Sequence, residues 1–229
     1  FIFNDPSPSP EKSFNERKRL FNIKNVNWSD YDTSIISSGG GVYSRKDKYI
    51  EISVEAKKLL NLNKNKFSPN ELIHHLLSVK VDLLWNGGIG TYVKSSKENN
   101  MQVGDHANDS LRVNGASLNC KIVAEGGNLG LTQLGRIEFE LAGGVVNTDF
   151  IDNSAGVDCS DHEVNIKIFL NRYVNENKLS YINRNKLLVK MTSDVAKMVL
   201  IHTVHQNVFL SIEMLSLPKY IYLYEKFIE

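Results

Sequence analysis

The chain has 229 residues and a formal net charge of +1, because 27 Lys and Arg residues stand against 26 Asp and Glu residues. Apolar residues make up 41% and charged residues 23%, which is close to the average of globular proteins and excludes wholesale disorder. The near-neutral charge argues against a nucleic-acid-binding protein, and no apolar run approaches the ~20 residues that cross a bilayer.

The chain opens with Phe1, Ile2 and Phe3, which predict a short buried strand that ends at Asp5 before Pro6. A strand this short and apolar normally has sheet partners on both sides. Two interpretations are open: residues 1–5 pair with later strands, or the chain begins in the middle of a domain. We favour the second.

The segments up to residue 80 are predicted to be helices separated by a loop. They are a charged helix at 11–21, a loop at 22–49 with room for a short strand at 42–43, and a helix at 54–62. A stronger signal follows at Ser68, which suits the N-cap, with Pro69 at the first helical position and Glu71 at the third. This pattern is a capping box and predicts the start of another helix.

Two short apolar runs, at 81–85 and 121–124, are predicted strands that end in glycine-rich turns. The turns are Asn86-Gly87-Gly88-Ile89-Gly90-Thr91 and Glu125-Gly126-Gly127-Asn128-Leu129-Gly130, with a weaker third case at 141–148. After Ser160 the apolar spacing becomes helical. Strands that alternate with helical stretches indicate an α/β fold with a parallel sheet.

The glycine-rich turns are the places where we expect the chemistry. In open α/β sheets the ligand binds beyond the carboxyl ends of the strands, and glycine lets the backbone approach it closely. The alternative is that each is only a tight turn, but three such turns in one chain favour a binding role. Neither GxGxxG nor GxxxxGK[ST] occurs, so the phosphate-binding element of a nucleotide site is absent from this chain.

Asp5 adds a more specific signal. A carboxylate at the tip of the second strand of a dinucleotide-binding fold hydrogen-bonds the adenosine ribose, ~20 residues after the glycine fingerprint. If residues 1–5 form that strand, the fingerprint lies just upstream of residue 1. The alternative is a turn residue, since Asp followed by Pro commonly starts a turn.

Four segments closely resemble the large bacterial NAD-specific glutamate dehydrogenase family. They are Val81-Asp82-Leu83-Leu84-Trp85-Asn86-Gly87-Gly88-Ile89-Gly90-Thr91-Tyr92-Val93-Lys94, Glu125-Gly126-Gly127-Asn128-Leu129-Gly130-Leu131-Thr132-Gln133, Ile151-Asp152-Asn153-Ser154-Ala155-Gly156-Val157-Asp158 and Ser160-Asp161-His162-Glu163-Val164-Asn165-Ile166-Lys167. The resemblance covers about residues 1–210 and weakens after Met198. Members of this family are far longer than 229 residues, so the chain resembles an internal piece of such an enzyme.

The resemblance implies oxidative deamination of L-glutamate to 2-oxoglutarate and ammonia, with hydride transfer to NAD. It implies a partial Rossmann-like NAD-binding domain at about 1–150, with its first strand and phosphate loop missing, followed by a helical segment at 151–229. It also implies a cytoplasmic enzyme that is a homo-oligomer at full length, with no nucleic-acid or membrane partner.

The cofactor-binding residues implied by the resemblance fall on the two glycine-rich turns and on Asp5. Asp5 matches the acid that favours the free 2′-hydroxyl of NAD over the phosphate of NADP. Asn128 matches an Asn near the nicotinamide ribose in smaller glutamate dehydrogenases, and Gly127 replaces their usual Ala. The full set is Asp5, Gly87, Gly88, Gly90, Thr91, Glu125, Gly126 and Asn128.

Substrate binding is implied for one residue of the third glycine-rich segment. Ala142-Gly143-Gly144-Val145 resembles the Ala-Gly-Gly-Val segment of the smaller enzymes. In those enzymes a Ser three places after the Val contacts the side-chain carboxylate of the substrate. Thr148 stands at that place and keeps the hydroxyl.

The catalytic Lys and Asp of glutamate dehydrogenases come from the substrate domain, which precedes the NAD domain. No Lys of this chain sits in a matching motif, and surface-patterned lysines such as Lys57, Lys58 and Lys64 lack the burial that would tune an amine base. We therefore expect no complete active site in this chain. The competing interpretation is a non-enzymatic remnant or binding partner from a decaying gene.

No metal site is predicted. Asp158, Asp161, His162 and Glu163 resemble a ligand cluster, but Ser160-Asp161-His162-Glu163 also forms a capping box whose acids suit a helix N-terminus, and we favour that interpretation.

The remaining candidate ligands are also interpreted as ordinary residues. Adjacent His74 and His75 point to different helix faces, and His202 and His205 lack further evident ligands. The two cysteines are far apart in sequence and form neither a CxxC motif nor a disulfide framework, which fits a reducing compartment.

Overall fold

The computed structural model describes residues 1–229, which fall into two units of contacting residues. The first unit contains residues 1–123 and 129–146, and the second contains residues 124–128 and 147–229. The domain boundary at about residue 150 stays a prediction.

The helices of the first unit are α1 (Pro10–Phe21), α2 (Val54–Leu59), α3 (Pro69–Leu77), α4 (Asn100–Val103) and α5 (Gln133–Leu141). The strands are β1 (Ile2–Asn4), β2 (Gly41–Tyr43), β3 (Ile50–Glu51), β4 (Lys66–Phe67), β5 (Val81–Asn86), β6 (Val93–Lys94), β7 (Val113–Asn114), β8 (Cys120–Glu125) and β9 (Val145–Val146). The second unit contains the end of β8 and the helices α6 (Asp149–Asp152), α7 (Ser154–Asn175) and α8 (Tyr181–Ile228).

The sheets confirm an α/β fold with parallel strands. A three-stranded sheet has the order β5-β8-β9, in which β8 and β9 are parallel, and β6 pairs in parallel with β7. Two antiparallel pairs, β1 with β2 and β3 with β4, complete the strands. The strand at residues 2–4 therefore pairs with a later strand, which is the interpretation that we did not favour.

The predicted helix starts are confirmed where a local cap fixes them. The Ser68 hydroxyl accepts from Glu71 N, and the Glu71 carboxylate accepts from Ser68 N, which forms the predicted capping box. Helix α2 begins after the N-cap Ser53 but ends at Leu59, earlier than predicted. Asn61 has a φ of 51°, which is incompatible with a continuing right-handed helix.

The central sheet carries apolar side chains on both of its faces. Leu84, Val123 and Val146 point into a core that also contains Phe139 and Leu131. Five apolar residues of the other face are exposed, namely Val81, Leu83, Trp85, Ile122 and Val145. The two-sided apolar character matches strands that are normally covered on both faces.

The third glycine-rich segment is explained by the end of helix α5. Gly143 has a φ of 95° and donates to Glu140 O, and Gly144 donates to Phe139 O. A Cβ at Gly144 would lie 2.2 Å from the Phe139 ring. Both glycines are therefore required by the helix C-terminus and by core packing.

Helices α7 and α8 form a hairpin joined by residues 176–180. Helix α7 already begins at Ser154, and Ser160 lies inside it, where its hydroxyl donates to Gly156 O at 3.1 Å. The predicted capping box at Ser160 is therefore wrong, because the residues before it are already helical. None of the helices, α8 included, has an apolar stretch that could span a membrane.

Glu138 on α5 connects this helix to the segments that flank it. Its carboxylate accepts hydrogen bonds from the Ser95 hydroxyl, from the Ser96 amide and hydroxyl, and from the Ala116 amide, at 2.6 to 2.9 Å. Burial opposes ionisation, but the hydrogen bonds from Ser95, Ala116 and Ser96 prevail and lower the pKa of Glu138 to about 2. The folded chain therefore holds this carboxyl ionised.

We expect Glu138→Gln to flatten the acid side of the stability profile. The pKa of about 2 lies below the ordinary value of 4.5, so between these values the unfolded chain binds more protons, and stability falls as pH falls. The free energy of unfolding, measured by urea titration between pH 4.5 and pH 2, should have a smaller pH slope in the variant. Glu140→Gln changes an exposed carboxyl on the same helix and is the control. Equal slopes in both variants would contradict the role of Glu138.

Candidate functional site

The carboxyl end of β5 opens on a cavity of about 210 Å³. Asn86, the last residue of β5, lines this cavity, and its Nδ2 is buried without a hydrogen-bond partner. The other lining residues are Leu77, Leu84, Trp85, Gly88, Tyr92, Val93, Val123, Gly130 and Leu131. The site is a small apolar cavity with one unsatisfied amide donor, at the sheet edge where α/β proteins bind ligands.

The three glycines of the first turn differ in whether the fold would accept a side chain in their place. Gly90 has a φ of 132°, and a Cβ there would lie 2.6 Å from Asn108 Nδ2, so only glycine fits. A Cβ at Gly87 would lie 2.7 Å from Trp85 Nε1. A Cβ at Gly88 would meet nothing within 4 Å, and its φ is not positive. The fold of this chain therefore does not require a glycine at position 88, where the backbone is exposed.

Thr91 is fixed by contacts within the first unit. Its hydroxyl donates to Leu129 O at 2.7 Å, its amide donates to Asp105 Oδ2 at 2.8 Å, and its carbonyl accepts from Arg112 Nε at 2.9 Å. The hydroxyl proton is thus already committed to a backbone carbonyl. The structure makes Thr91 a positioning residue for the turn.

Arg112 is the buried cation behind this turn, and its side chain is 0% exposed. In addition to Thr91, its guanidinium donates to Asp105 O at 2.6 Å, to Asn100 Oδ1 at 2.8 Å and to Asp109 Oδ1 at 2.6 Å. The hydrogen bond from Arg112 lowers the pKa of Asp109, and hydrogen bonds from Asn108 and Thr91 lower the pKa of Asp105. Both carboxyls are therefore held ionised around the buried guanidinium.

The segment after the first turn is paired with the segment after the second. Tyr92 N and Val93 N donate to Gly130 O at 2.8 and 3.1 Å, and Thr132 N donates to Val93 O at 3.0 Å. The structure thus brings Gly90–Val93 beside Gly130–Thr132, as expected for turns at one edge of a parallel sheet.

The second turn is held by residues that follow Thr148. Asp152 Oδ2 accepts from the amide of Glu125, whose side chain is buried. Asn153 Nδ2 donates to Gly127 O at 2.6 Å and to Asn128 Oδ1. Because its amide oxygen faces Asn153, exposed Asn128 keeps its Nδ2 group as a donor.

Thr148 lies at the start of α6 with its hydroxyl outside the helix cap. It is the N-cap residue and is half-buried, but its side chain makes no capping hydrogen bond. Its carbonyl accepts from Ile151 N and Asp152 N. The backbone of Thr148 is thus fixed by the same short helix that supports Glu125 and Asn128.

Asp5 lies in the β1–β2 region rather than at the glycine-rich turns. Its Oδ1 accepts from the Ser37 amide at 3.1 Å and from the Ser37 hydroxyl, and its Oδ2 is buried without a partner. One carboxylate oxygen is thus fixed and the other is unsatisfied. The strand before it is antiparallel to β2, and its assignment as the second strand of a dinucleotide-binding sheet stays a prediction.

Sequence analysis did not select several residues that shape this site. Asn86 had a usable signal, because it is the first polar residue after an apolar strand and precedes two glycines. Asp152 and Asn153 lie in a family-like segment, but nothing local assigned them a role, because they act on residues 27 and 26 positions away in sequence. Arg112 had no signal, since the Thr91 carbonyl that it binds is 21 positions away.

The comparisons with known proteins agree with these segments. A family model described as the catalytic domain of bacterial NAD-glutamate dehydrogenase matches residues 1–213. The NAD-specific glutamate dehydrogenase of Pseudomonas aeruginosa is 56% identical over 211 residues, which are 92% of this chain and 13% of that protein. Those of Halomonas elongata and Mycobacterium tuberculosis are 53% and 49% identical, over 94% and 90% of this chain. In each comparison the chain spans 13% of the relative's length.

We expect Arg112→Met to destabilise the first unit by on the order of 3 kcal/mol, because it removes the charge between Asp105 and Asp109 and leaves the Thr91 carbonyl unpaired. Arg112→Lys should cost less, since it keeps the charge but not the guanidinium fork. Urea unfolding measures both. The control is Arg45→Met, at an exposed arginine of the same unit, which should change little. A loss in the control equal to that of Arg112→Met would contradict the network.

Proposed function

Because this chain belongs to the bacterial NAD-glutamate dehydrogenase family, we propose that it forms part of an enzyme that oxidatively deaminates L-glutamate to 2-oxoglutarate and ammonia with NAD as hydride acceptor. The relatives are named NAD-specific glutamate dehydrogenase, and this chain spans 13% of their length. The activity therefore belongs to the longer polypeptide. A homo-oligomer and a cytoplasmic location are part of the same proposal.

The observation that carries the proposal is the unsatisfied Asn86 amide beside the bare backbone of Gly88. A buried donor without a partner costs free energy, which a ligand with an acceptor group relieves. Both residues lie at the carboxyl end of β5, where α/β sheets bind dinucleotides. These features fit a nicotinamide cofactor that contacts the turn of Gly87, Gly88 and Gly90.

NAD, when bound, supplies the acceptor for a hydride from the α-carbon of glutamate. Asn128 would donate from its Nδ2 to a ribose hydroxyl, and Glu125 and Gly126 would line the cofactor in the same turn, whose backbone Asp152 holds at Glu125. Asp5 would accept a hydrogen bond from a ribose hydroxyl on the Oδ2 that no residue of the chain satisfies. Thr91 acts by fixing the first turn, since its hydroxyl is bonded to Leu129.

Thr148 holds the substrate through its hydroxyl, which the helix cap leaves unused. The Lys and Asp that move protons in the reaction lie in the preceding substrate domain of the longer polypeptide. The isolated chain then binds parts of both ligands without completing the reaction. Asn153 and Asp152 position the second turn against Thr148 within the same unit.

We expect the isolated chain to show no glutamate-dependent formation of NADH, because it lacks the catalytic Lys and Asp. A chimera tests the enzyme proposal directly: residues 1–213, which the family model matches, replace the corresponding segment of the Pseudomonas aeruginosa relative, which is 56% identical over 211 residues. The chimera should retain turnover, with the unaltered relative as control. An inactive but folded chimera would favour the non-enzymatic remnant, and turnover by the isolated chain would refute the incomplete site.

In the active chimera, Asp5→Ser should lower kcat/KM with NAD and relax the discrimination against NADP. The variant has no carboxylate to bind the ribose hydroxyls or to repel a 2′-phosphate. Both losses lower the ratio of kcat/KM with NAD to kcat/KM with NADP, by tenfold for each ~1.4 kcal/mol of lost discrimination. The matched variant is Thr148→Val, which should raise the KM for glutamate and leave the cofactor ratio unchanged. An unmoved ratio in Asp5→Ser would make Asp5 a turn residue only.

A further inference from the structure

Helices α7 and α8 bring one carboxylate and two imidazoles together in the second unit. Asp158 and His162 lie four residues apart on α7 and therefore on one helix face, and His202 faces them from α8. The side chains are 23%, 26% and 45% exposed, so the cluster is sheltered but open to solvent on one side. The predicted capping box at Ser160, which included His162, does not exist, because α7 already begins at Ser154.

The hydrogen bonds of the cluster are incomplete. His202 Nδ1 lies 2.8 Å from Asp158 Oδ2, which is a normal hydrogen bond. His162 Nε2 lies 3.4 Å from Asp158 Oδ1, but it is buried and makes no hydrogen bond. The two rings are stacked at 5.6 Å with an angle of 24° between their planes. His162 Nε2 is therefore a buried polar atom that lies near a carboxylate oxygen but has no hydrogen-bond partner.

We propose that Asp158, His162 and His202 bind a divalent first-row transition metal ion, with Zn²⁺ as the probe. Neutral imidazole nitrogen and carboxylate oxygen are ligands that Zn²⁺ prefers, with bonds of about 2.0 to 2.2 Å. Such bonds place neighbouring atoms of a tetrahedral site about 3.3 Å apart, close to the 3.4 Å between His162 Nε2 and Asp158 Oδ1. All three ligand atoms lie within 4.8 Å of one another.

Binding changes one existing contact. The hydrogen bond between His202 Nδ1 and Asp158 Oδ2 is replaced by bonds from both groups to the ion. The Nδ1 proton leaves to solvent while Nε2 takes one up, so that His202 binds as the neutral tautomer protonated on Nε2. The ion balances the charge of the carboxylate and satisfies His162 Nε2. Three protein ligands leave a coordination position for water or for an external group. Because the ligands come from two helices, the ion cross-links α7 and α8.

The test is Zn²⁺ titration of the metal-free 229-residue chain in competition with a chromophoric chelator. Wild type should bind one ion per chain. His162→Ala, His202→Ala and Asp158→Asn should each weaken binding by more than about tenfold. The matched control is His205→Ala, an exposed histidine on α8 three residues after His202. A second control is Cys159→Ser, because this exposed thiol adjoins Asp158 and is itself able to bind Zn²⁺.

A second measurement keeps the test independent of misfolding. Saturating Zn²⁺ should raise the Tm of wild type and of His205→Ala but not that of His202→Ala. No binding by wild type would overturn the proposal and leave a hydrogen-bonded Asp-His pair. Equal loss in His205→Ala, or loss only in Cys159→Ser, would also overturn it. None of these outcomes depends on dehydrogenase activity, so failure here is separate from failure of the proposed function.

Discussion

The first glycine-rich turn depends on one buried charge. The Arg112 guanidinium has no access to solvent, so each of its donors must be satisfied inside the protein. The acceptors are two backbone carbonyls, at Thr91 and Asp105, and the side chains of Asn100 and Asp109. Because one acceptor is the Thr91 carbonyl, the backbone that follows Gly90 has little freedom. The turn that exposes Gly88 is therefore fixed at its Thr91 end.

Glu138 is a second charged side chain that converging hydrogen bonds hold in place, and its charge is negative. That carboxylate is ionised in a half-buried position because backbone amides and serine hydroxyls converge on it. Glu138 fixes α5 to Ser95 and Ser96, which follow β6. Arg112 fixes Thr91, which precedes β6. In the second unit, Asp152 and Asn153 do this for Glu125, Gly127 and Asn128. Charged and amide side chains distant in sequence thus hold both turns.

Local sequence signals predicted many of the helices and strands, whereas contacts between distant segments could not be predicted from them. The Ser68 capping box was correct because its bonds span three residues and compete with nothing. The similar pattern at Ser160 failed because Ser154 already starts the helix, which leaves no free amides to cap. The pairing of residues 2–4 with β2 and the approach of His202 to Asp158 depend on chain segments about 40 residues apart, which no local pattern encodes.

The glycines of the first and third glycine-rich segments are of two physical kinds, and the distinction bears on function. Gly90, Gly143 and Gly144 are required by the chain itself, since a positive φ or a close neighbour excludes a Cβ at each. Their presence would be expected in any protein with this backbone, whatever it binds. Gly88 is different: its backbone is ordinary and its surroundings are empty, so the fold would accept a side chain there. A glycine that the fold does not need, beside the unsatisfied amide of Asn86, favours a ligand from outside the chain as the reason for both.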